Sequence, residues 1–381
     1  MLPPVVPFSI ETPRSIHFGV DSIQKLREVV MGFGHRVLLV SGTRWLEGSG
    51  WGQRLAAALE GCAVARVGCP AGEPTTLSLS RVMERAGAFD PEVILGIGGG
   101  SVIDTAKALS ALLRHAGPVE RFLEGVEGAV PIPGACIPWV GIPTTAGTGA
   151  EVTKNAVVRA ESLGVKRSMR SVHLLAAAVI VDPQLTVSLP LAITGTSGLD
   201  ALTQLVEAYV SRRSNPYVRA LVRGAFGPLR EALAALPGSP GNLALRSAAS
   251  YGALVSGVAL ANAGLGAAHG FAAAVGGLFD VPHGLACAVF LPHVLEANAE
   301  VIRGALGELA AGYGGGDPVG WLAAEVRGLL RVYGLPPDLR GFAIPREAIP
   351  ELADKSSGSS MKGNPRDLTR EERIGILSRV M

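Results

Sequence analysis

Four polar side chains in the second half of the chain have the types and spacing of a metal site. Asp200 and Gln204 are four positions apart, which places both on one face of a helix. His269 and His283 are separated by 14 positions, about 21 Å in one unbroken helix. Pro282 predicts that the helix ends first and the chain turns back, so that the two imidazoles converge. One carboxylate, two imidazoles and an amide oxygen suit Fe²⁺ or Zn²⁺. On the other interpretation, the histidines stay apart and Gln204 is a hydrogen-bonding residue of the core.

Three consecutive glycines, Gly98, Gly99 and Gly100, follow a predicted strand and open a predicted helix. Backbone without Cβ atoms can lie against an anion, and the amides from Ser101 onward point at it from the helix N-terminus. Asp104 lies in the first turns of this helix. Because the spacing differs from the GxGxxG fingerprint, we predict a dinucleotide or phosphate loop of another kind. The alternative is a tight turn without a ligand.

A second loop with binding chemistry follows the strand that ends at Pro143. Thr144, Thr145 and Thr148 offer three hydroxyls beside two glycines, which suits hydrogen bonds to phosphate or to a nicotinamide amide. The alternative is a loop that caps a helix, with Glu151 near its start. If both loops bind a nicotinamide dinucleotide, a metal ion at the four polar side chains would act as a Lewis acid on an alcohol or carbonyl oxygen during hydride transfer.

The end of the strand at Val40 bears on which dinucleotide is bound. NAD-selective folds often place a carboxylate near the adenosine ribose, whereas this chain continues with Ser41, Gly42, Thr43 and Arg44. Gly42 leaves room for a 2′-phosphate, with Arg44 as a candidate partner, which favours NADP over NAD. Arg44 as a solvated helix residue is the alternative.

The elements that position these residues change character near residue 183. Before it, apolar runs at 36–40, 93–97, 139–143 and 178–181 alternate with helical patterns such as 103–113, which predicts a parallel α/β sheet. After it, helical periodicity dominates: 248–268 reads as one long core helix, 237–240 as a turn, and 355–365 as a surface loop before a last helix. We predict an α/β domain over 1–183 and an all-helical domain over 184–381.

Composition excludes several classes of function. The chain has 381 residues, 48% of them hydrophobic and 17% charged, with a net charge of +2, so it can bury the cores of two domains. Interspersed charges argue against a nucleic-acid partner, and no apolar stretch reads as a membrane span. The four cysteines lack CxxC spacing, which favours reduced thiols in the cytoplasm.

These motifs together resemble the iron-containing alcohol dehydrogenases over essentially the whole length. The matching stretches include GIGGGSVIDTAKAL, IPTTAGTGAEVTKNAVV, TGTSGLDALTQLVEAYV, ANAGLGAAHGFAAAVGGLFDVPHGLACAVFLPHV and SSMKGNPRDLT. The resemblance implies an α/β N-terminal dinucleotide-binding domain plus an all-α C-terminal domain, the dehydroquinate synthase-like architecture. It implies an NAD(P)-dependent oxidoreductase that interconverts a small-molecule alcohol and an aldehyde or ketone, and it favours a homodimer.

The resemblance also implies roles for particular residues. The Gly98 to Asp104 segment corresponds to the pyrophosphate loop, the threonines at 144, 145 and 148 to the second cofactor loop, and Lys166 to a lysine near the nicotinamide ribose. The segment 73–75 falls on the adenine side. Gly42 falls where many members carry an NAD-selecting aspartate, which again favours NADP.

Two positions depart from the family's pattern. Asp200, His269 and His283 match three metal ligands, but Gln204 stands where the family has a histidine ligand. Ala273 stands where many members have a histidine assigned to proton handling. A neutral amide is a poorer ligand for Fe²⁺ or Zn²⁺, so weak binding, another metal or none is expected. The proton donor would then be water, a cofactor ribose hydroxyl or His173.

The changed ligand leaves three alternatives to a metal-assisted dehydrogenase. One is a metal-independent reductase similar to the maleylacetate reductases. Another is a non-catalytic nucleotide-binding relative. The third, a dehydroquinate-synthase-like lyase, is disfavoured because the helical domain is poor in the lysines, arginines and histidines that a phosphorylated polyol requires.

Overall fold

The computed structural model describes residues 7–42, 46, 48, 50–69, 72–313 and 316–381. The chain divides into two compact units: an α/β unit of residues Glu11–Thr145 and Gly149–Ser188, and a helical unit of residues 7–10, Ala146–Thr148 and Leu189–Met381. The predicted fold class, α/β followed by all-α, is confirmed.

The α/β unit contains eight strands and four α-helices among its described residues. The strands are β1 (Ile16–Phe18), β2 (Arg36–Gly42), β3 (Ala63–Cys69), β4 (Val93–Gly98), β5 (Trp139–Pro143), β6 (Asn155–Ala160), β7 (Val165–Arg170) and β8 (Ala178–Val181). The helices are α1 (Leu26–Met31), α2 (Trp51–Ala58), α3 (Thr76–Gly87) and α4 (Gly100–Leu112).

Six strands form one wholly parallel sheet in the order β1-β8-β5-β4-β2-β3. Its central strands are buried along their length, as the continuous apolar runs of β4 and β5 predict for a covered parallel sheet. Gly98 pairs with Pro143 at the carboxyl ends of β4 and β5. The two predicted cofactor loops therefore start side by side at the edge where α/β sheets bind ligands.

Part of the α/β unit was not predicted. β6 and β7 form a separate antiparallel pair, and β1 and β3 also escaped the sequence pattern. β6 has two alanines among its three buried positions and β7 is mostly polar, so neither reads as an apolar run, and three-residue β1 is too short for a periodicity.

The helical unit contains eight α-helices among its described residues. They are α5 (Leu191–Val210), α6 (Pro216–Ala235), α7 (Leu243–Ala263), α8 (Ala267–Leu278), α9 (His283–Leu309), α10 (Pro318–Val332), α11 (Ile349–Lys355) and α12 (Arg370–Val380). Side-chain caps fix several starts: Asn215 accepts the Val218 N–H, and Asp317 accepts those of Val319 and Gly320.

Two expectations about this unit were wrong in part. The predicted helix over 248–268 is broken, because Gly264 adopts φ of 67° and ends α7, and α8 starts only at Ala267. The predicted surface loop over 355–365 is partly internal: Ser356 and Asn364 are each 1% exposed. The Asn364 amide bonds to Asn298 in α9, which explains why a polar segment can be buried.

Helices α7 and α9 are long and apolar enough to cross a membrane by length and composition. However, 61% and 67% of their most apolar windows are buried inside the structure. Burial of this kind is typical of core helices in soluble proteins, because the apolar surface is already covered by neighbouring helices.

Candidate functional site

Helix α5 carries three polar side chains on one buried face. Asp200, Gln204 and Glu207 lie one turn apart and are 2%, 3% and 3% exposed. Spacings of four and three residues place all three on the same side of the helix. Because polar groups in a core require partners, this face must meet other polar groups of the helical unit.

The first partner is His269 in the first turn of α8. Its Nδ1 lies 2.6 Å from Glu207 Oε2, and its Nε2 lies 3.2 Å from Asp200 Oδ1. Glu207 Oε1 also accepts the N–H of Ala268 at 2.7 Å. Glu207 therefore fixes the orientation of the ring and directs Nε2 at Asp200.

The second partner is His283, which begins α9 directly after Pro282. Its ring centroid lies 5.5 Å from that of His269, and its Nε2 lies 4.0 Å from Asp200 Oδ1. α8 ends at Leu278 and the chain returns before α9 begins. The predicted turn and the convergence of the two imidazoles are thus confirmed.

A fourth donor, Cys287, lies one turn after His283 and is fully buried. Its Sγ is 3.6 Å from His283 Nε2, and one donor atom from each of Asp200, His269, His283 and Cys287 lies within 4.8 Å of all the others. Sequence reasoning missed Cys287, although its four-residue spacing from His283 was a usable signal. It also missed Glu207, which with Asp200 and Gln204 is one of the three carboxylate or amide side chains of this helix.

Gln204 is adjacent to this cluster but presents its nitrogen to it. Nε2 donates to Asp200 Oδ2 at 3.2 Å and to the Thr148 carbonyl at 3.4 Å, while Oε1 accepts from the Ser256 hydroxyl at 2.8 Å. Rotating the amide by half a turn would exchange oxygen and nitrogen, so Gln204 as a ligand stays a prediction.

The electrostatics of the cluster favour positive charge at its centre. Burial opposes ionisation of Asp200, but the hydrogen bond with His269 and the charges of both imidazoles hold its pKa below the usual range. Burial likewise disfavours a charged His269, yet Cys287, Asp200 and Glu207 raise its pKa well above the ordinary value. Cys287 also raises the pKa of His283.

In the α/β unit, the glycine loop lies where β4 meets α4. Gly99 is the N-cap of α4, so the first-turn amides at Gly100 and Ser101 lack intrahelical acceptors. A Cβ on Gly98 would lie 2.7 Å from the Val102 side chain, so Gly98 is required for close packing of helix on strand. A Cβ on Gly99 would lie 3.3 Å from Thr145.

The second loop is joined to the first by its backbone, because Thr144 donates its N–H to the Gly98 carbonyl at 2.9 Å. The Thr145 side chain lies next to Gly99, because a Cβ added there would meet it at 3.3 Å. Thr148, by contrast, belongs to the helical unit, where its carbonyl accepts from Gln204. The three predicted threonines are thus divided between the two units.

Asp104 has internal partners in the α/β unit. Its Oδ2 accepts the Val157 N–H at 3.2 Å, and its Oδ1 lies 3.6 Å from Lys107 Nζ. Burial raises the pKa of Asp104 to about 6, with Lys107 opposing the shift. These contacts hold α4 against β6. The cofactor-binding role of Asp104 stays a prediction.

Lys166, predicted near the nicotinamide ribose, has its Nζ 2.6 Å from Oε1 of Glu73, which begins the segment predicted on the adenine side. The two predictions therefore place neighbouring side chains at opposite ends of the dinucleotide. Gly42 ends β2, and among the residues that the structure describes a Cβ there would meet only Val102 Cγ2, at 3.9 Å. Arg44 lies outside the described residues.

The remaining histidine candidates are not part of the cluster. His173 is exposed in a short 3-10 helix of the α/β unit. His293 lies within α9, 3.7 Å from Glu296. Ala273 lies on α8, one turn beyond His269, and offers no titratable group.

Two family models cover nearly all of the chain. Residues 13–183 match the iron-containing alcohol dehydrogenase model, and residues 194–381 match the C-terminal model of the Fe-containing alcohol dehydrogenase family. The chain belongs to the iron-containing alcohol dehydrogenase family.

Individual members of the family are clearly similar to the chain. Alcohol dehydrogenase 4 of Saccharomyces cerevisiae is 33% identical over 293 residues, 76% of this chain and 75% of its own length. The NADPH-dependent butanol dehydrogenase of Clostridium saccharobutylicum is 26% identical over 374 residues, 94% of each chain. The crystal structure of a 1,3-propanediol oxidoreductase superposes with a TM-score of 0.91 at 28% identity, covering 99% of this chain and 100% of that one.

Membership of the iron-containing alcohol dehydrogenase family settles the class of activity. The chain is an NAD(P)-dependent oxidoreductase that interconverts alcohols and aldehydes by hydride transfer. Because this family uses a metal, the buried cluster on α5, α8 and α9 is a candidate metal site.

Proposed function

We propose that this iron-family enzyme is an NADP(H)-preferring alcohol dehydrogenase or aldehyde reductase that works with a divalent metal held by Asp200, His269 and His283. In this proposal, residues 1–183 bind the dinucleotide and residues 184–381 bind the metal and a small-molecule substrate. The single observation that carries it is the contact chain from Glu207 through His269 to Asp200, with His283 beside it.

The donor set fits a divalent metal. A histidine ligand typically gives its other ring N–H to a carboxylate, which fixes its tautomer, and Glu207 stands in that position. With Nδ1–H donated to Glu207, the Nε2 lone pair of His269 faces a carboxylate oxygen of Asp200. His269 Nε2 and Asp200 Oδ1 are 3.2 Å apart, a separation at which the two atoms can share either a proton or a metal ion. Fe²⁺ and Zn²⁺ both accept this combination of carboxylate and imidazole.

The residues of the candidate metal cluster then have different roles. A divalent ion bound there supplies a Lewis acid for the substrate oxygen. Asp200 contributes the negative charge that retains the cation. Glu207 holds the His269 ring in place, and His283, whose side chain is 41% exposed, forms the accessible side of the cluster. Because Ala273 offers no proton, water or a ribose hydroxyl serves as the proton donor in this proposal.

The dinucleotide part of the proposal rests on Gly98, Gly99, Gly100, Ser101 and Thr145. These residues present backbone amides and a hydroxyl at the N-terminus of α4, where an anion is favoured. We propose pyrophosphate binding there, with Asp104, Thr144, Thr148 and Lys166 as further cofactor-binding residues. The preference for NADP is supported by the open space at Gly42, since no carboxylate there would repel a 2′-phosphate.

We further propose that the enzyme works in the cytoplasm as a homodimer, without nucleic-acid or membrane partners. The location is supported by four free thiols, Cys62, Cys69, Cys136 and Cys287, which suit a reducing compartment.

The test is a panel of primary alcohols and aldehydes assayed with NADPH and NADH. Enzyme stripped with a chelator is compared with enzyme reloaded with Fe²⁺, Zn²⁺ or Mn²⁺. We expect turnover that depends on metal and is faster with NADPH. Full activity after stripping would favour the metal-independent reductase. Tight cofactor binding without turnover on any substrate would favour the non-catalytic relative.

A further inference from the structure

One distance to Cys287 and one between Asp200 and His269 are close to those of a four-coordinate metal site, and every pair among the four donors lies within 4.8 Å. Metal–nitrogen bonds of about 2.0 Å and metal–sulfur bonds of about 2.3 Å place tetrahedral donors roughly 3.3–3.5 Å apart. Cys287 Sγ to His283 Nε2 is 3.6 Å, His269 Nε2 to Asp200 Oδ1 is 3.2 Å, and His283 Nε2 to Asp200 Oδ1 is 4.0 Å. Small side-chain adjustments would bring all four donors onto one ion.

The contacts of Gln204 favour a residue other than Gln204 as the fourth donor. Its amide nitrogen faces both Asp200 Oδ2 and the Thr148 carbonyl, two acceptors that would repel an amide oxygen turned toward them. Its oxygen is occupied by the Ser256 hydroxyl. The amide therefore orients the second oxygen of Asp200 instead of competing for a cation.

We propose that the thiolate of Cys287 completes the ligand set of Asp200, His269 and His283. It takes the place of the histidine that the family has at position 204, and it shifts the metal selectivity of the site from Fe²⁺ toward Zn²⁺. The inference rests on the proposed metal site and adds the fourth ligand. On binding, Cys287 loses its thiol proton to solvent and forms a sulfur–metal bond. Thiolate is a soft ligand that selects zinc over the harder metals served by carboxylate alone.

Four protein ligands also change how a substrate would bind. With four protein donors in place, a substrate oxygen could reach the ion only if the coordination number rose to five. His283 and Cys287 lie one turn apart on the same face of α9. Among the described residues, the other three thiols lie outside any such cluster of donors, so a thiolate signal can be assigned to Cys287.

Cobalt loading of the full-length chain tests the proposal without an activity assay. Co²⁺ is added to protein stripped of metal, and the thiolate-to-cobalt charge-transfer absorption in the near ultraviolet is recorded. We expect one equivalent to produce the band in the natural chain and in the control Cys136→Ser. Cys287→Ser should lose the band and bind Co²⁺ about tenfold to a hundredfold more weakly.

A second variant guards against misfolding and tests metal selectivity. The double variant Gln204→His/Cys287→Ser restores a fourth imidazole, so it should bind one Co²⁺ without the thiolate band. Under anaerobic competition, its ratio of bound Zn²⁺ to bound Fe²⁺ should fall below that of the natural chain.

The outcomes separate the two proposals. Stoichiometric Co²⁺ binding without a thiolate band in the natural chain, or a band that survives in Cys287→Ser, would overturn the role of Cys287 and leave the metal site standing. An unchanged zinc-to-iron ratio in the double variant would overturn the shift in selectivity. Failure of the natural chain to bind Co²⁺, Zn²⁺ or Fe²⁺ would overturn the metal site itself.

Discussion

In the helical unit the candidate ligands are side chains gathered from three helices, whereas in the α/β unit the candidate site consists largely of backbone at the end of one strand. Asp200, His269 and His283 come from α5, α8 and α9, and the distances among them depend on how those helices pack. The glycine loop depends only on β4 passing directly into α4.

The difference explains why the two sites tolerate sequence change differently. A side-chain site can lose one donor and recruit another from a neighbouring turn, as we propose for Cys287 in place of a histidine at 204. A backbone site has no side-chain donor to exchange, because every non-proline residue has an amide N–H. What the site requires of the sequence is glycine, which leaves out the Cβ atoms. The glycine motif is therefore intact in this chain, and the metal motif is not.

The largest expected effect comes from removing the charge of the metal cluster. Asp200→Asn keeps the shape of the side chain but removes the negative charge that retains the cation. We expect loss of bound metal and a fall in kcat/KM of about 10²–10³-fold, because a Lewis acid contributes several kcal/mol to the transition state. Elemental analysis and steady-state kinetics measure both effects.

The control for Asp200 is Asp280→Asn, a change at an exposed carboxylate near the start of α9. It should leave metal content and activity unchanged. If Asp200→Asn retained full activity, the metal cluster would have no catalytic role and the contrast between the two regions would be lost.

A smaller effect is expected from filling the backbone cradle. In Gly99→Val the new Cβ lies 3.3 Å from Thr145, so the loop must shift and the amides are partly covered. We expect NADPH affinity to fall roughly tenfold, about 1.4 kcal/mol, because the covered amides no longer reach the anion. Fluorescence titration with NADPH gives the dissociation constant.

Metal binding is then measured in the same variant. Gly99→Val should bind Co²⁺ like the natural chain, and Gly87→Val, whose Cβ would meet no atom within 4 Å, should bind NADPH normally. A cobalt spectrum altered in Gly99→Val would show that the two regions are not independent.

Selectivity between cofactors should respond to a single carboxylate. Gly42→Asp places a negative charge at the end of β2, where it would repel a 2′-phosphate and accept a ribose hydroxyl. We expect the preference for NADPH over NADH to fall on the order of tenfold, about 1.4 kcal/mol. The neutral variant Gly42→Asn is the control, and equal behaviour of the two variants would rule out charge as the cause.

The smallest expected effect is on the pH dependence of folding stability. Burial raises the pKa of Glu151 to about 7 from 4.5, with Lys107 opposing the shift. The unfolded chain loses this proton near pH 4.5, while the folded chain keeps it until about pH 7. Glu151 therefore makes a contribution of about 1–3 kcal/mol to the free energy of unfolding that is fully present below pH 4.5. This contribution is lost as the pH rises to about 7.

Glu151→Gln removes this titration. Its unfolding midpoint should change less between pH 5 and pH 8 than that of the natural chain, by a few degrees. The exposed Glu127→Gln is the matched control. Identical pH profiles for Glu151→Gln and the natural chain would show that Glu151 does not couple ionisation to folding.

Much of the α/β unit could be predicted because its signals are local. Strands β4, β5 and β8 were predicted within one residue of their bounds, since each is a continuous apolar run ended by glycine or proline or by an acidic residue before proline. The break between α7 and α8 was missed, because glycine within an alanine-rich pattern is compatible with helix, and only the positive φ of Gly264 identifies the end.

By itself the sequence determined the fold class, and it predicted two cofactor loops and three of the four donors of the candidate metal cluster, because the alternation of elements and the glycine, threonine and histidine motifs are visible in short stretches of sequence. The tertiary structure alone decided that Glu207 meets His269 across 62 positions of sequence, that Cys287 joins the cluster, and that Gln204 turns its nitrogen toward Asp200. Those contacts depend on how separate helices pack, and the periodicity of one helix carries no information about the distance to another.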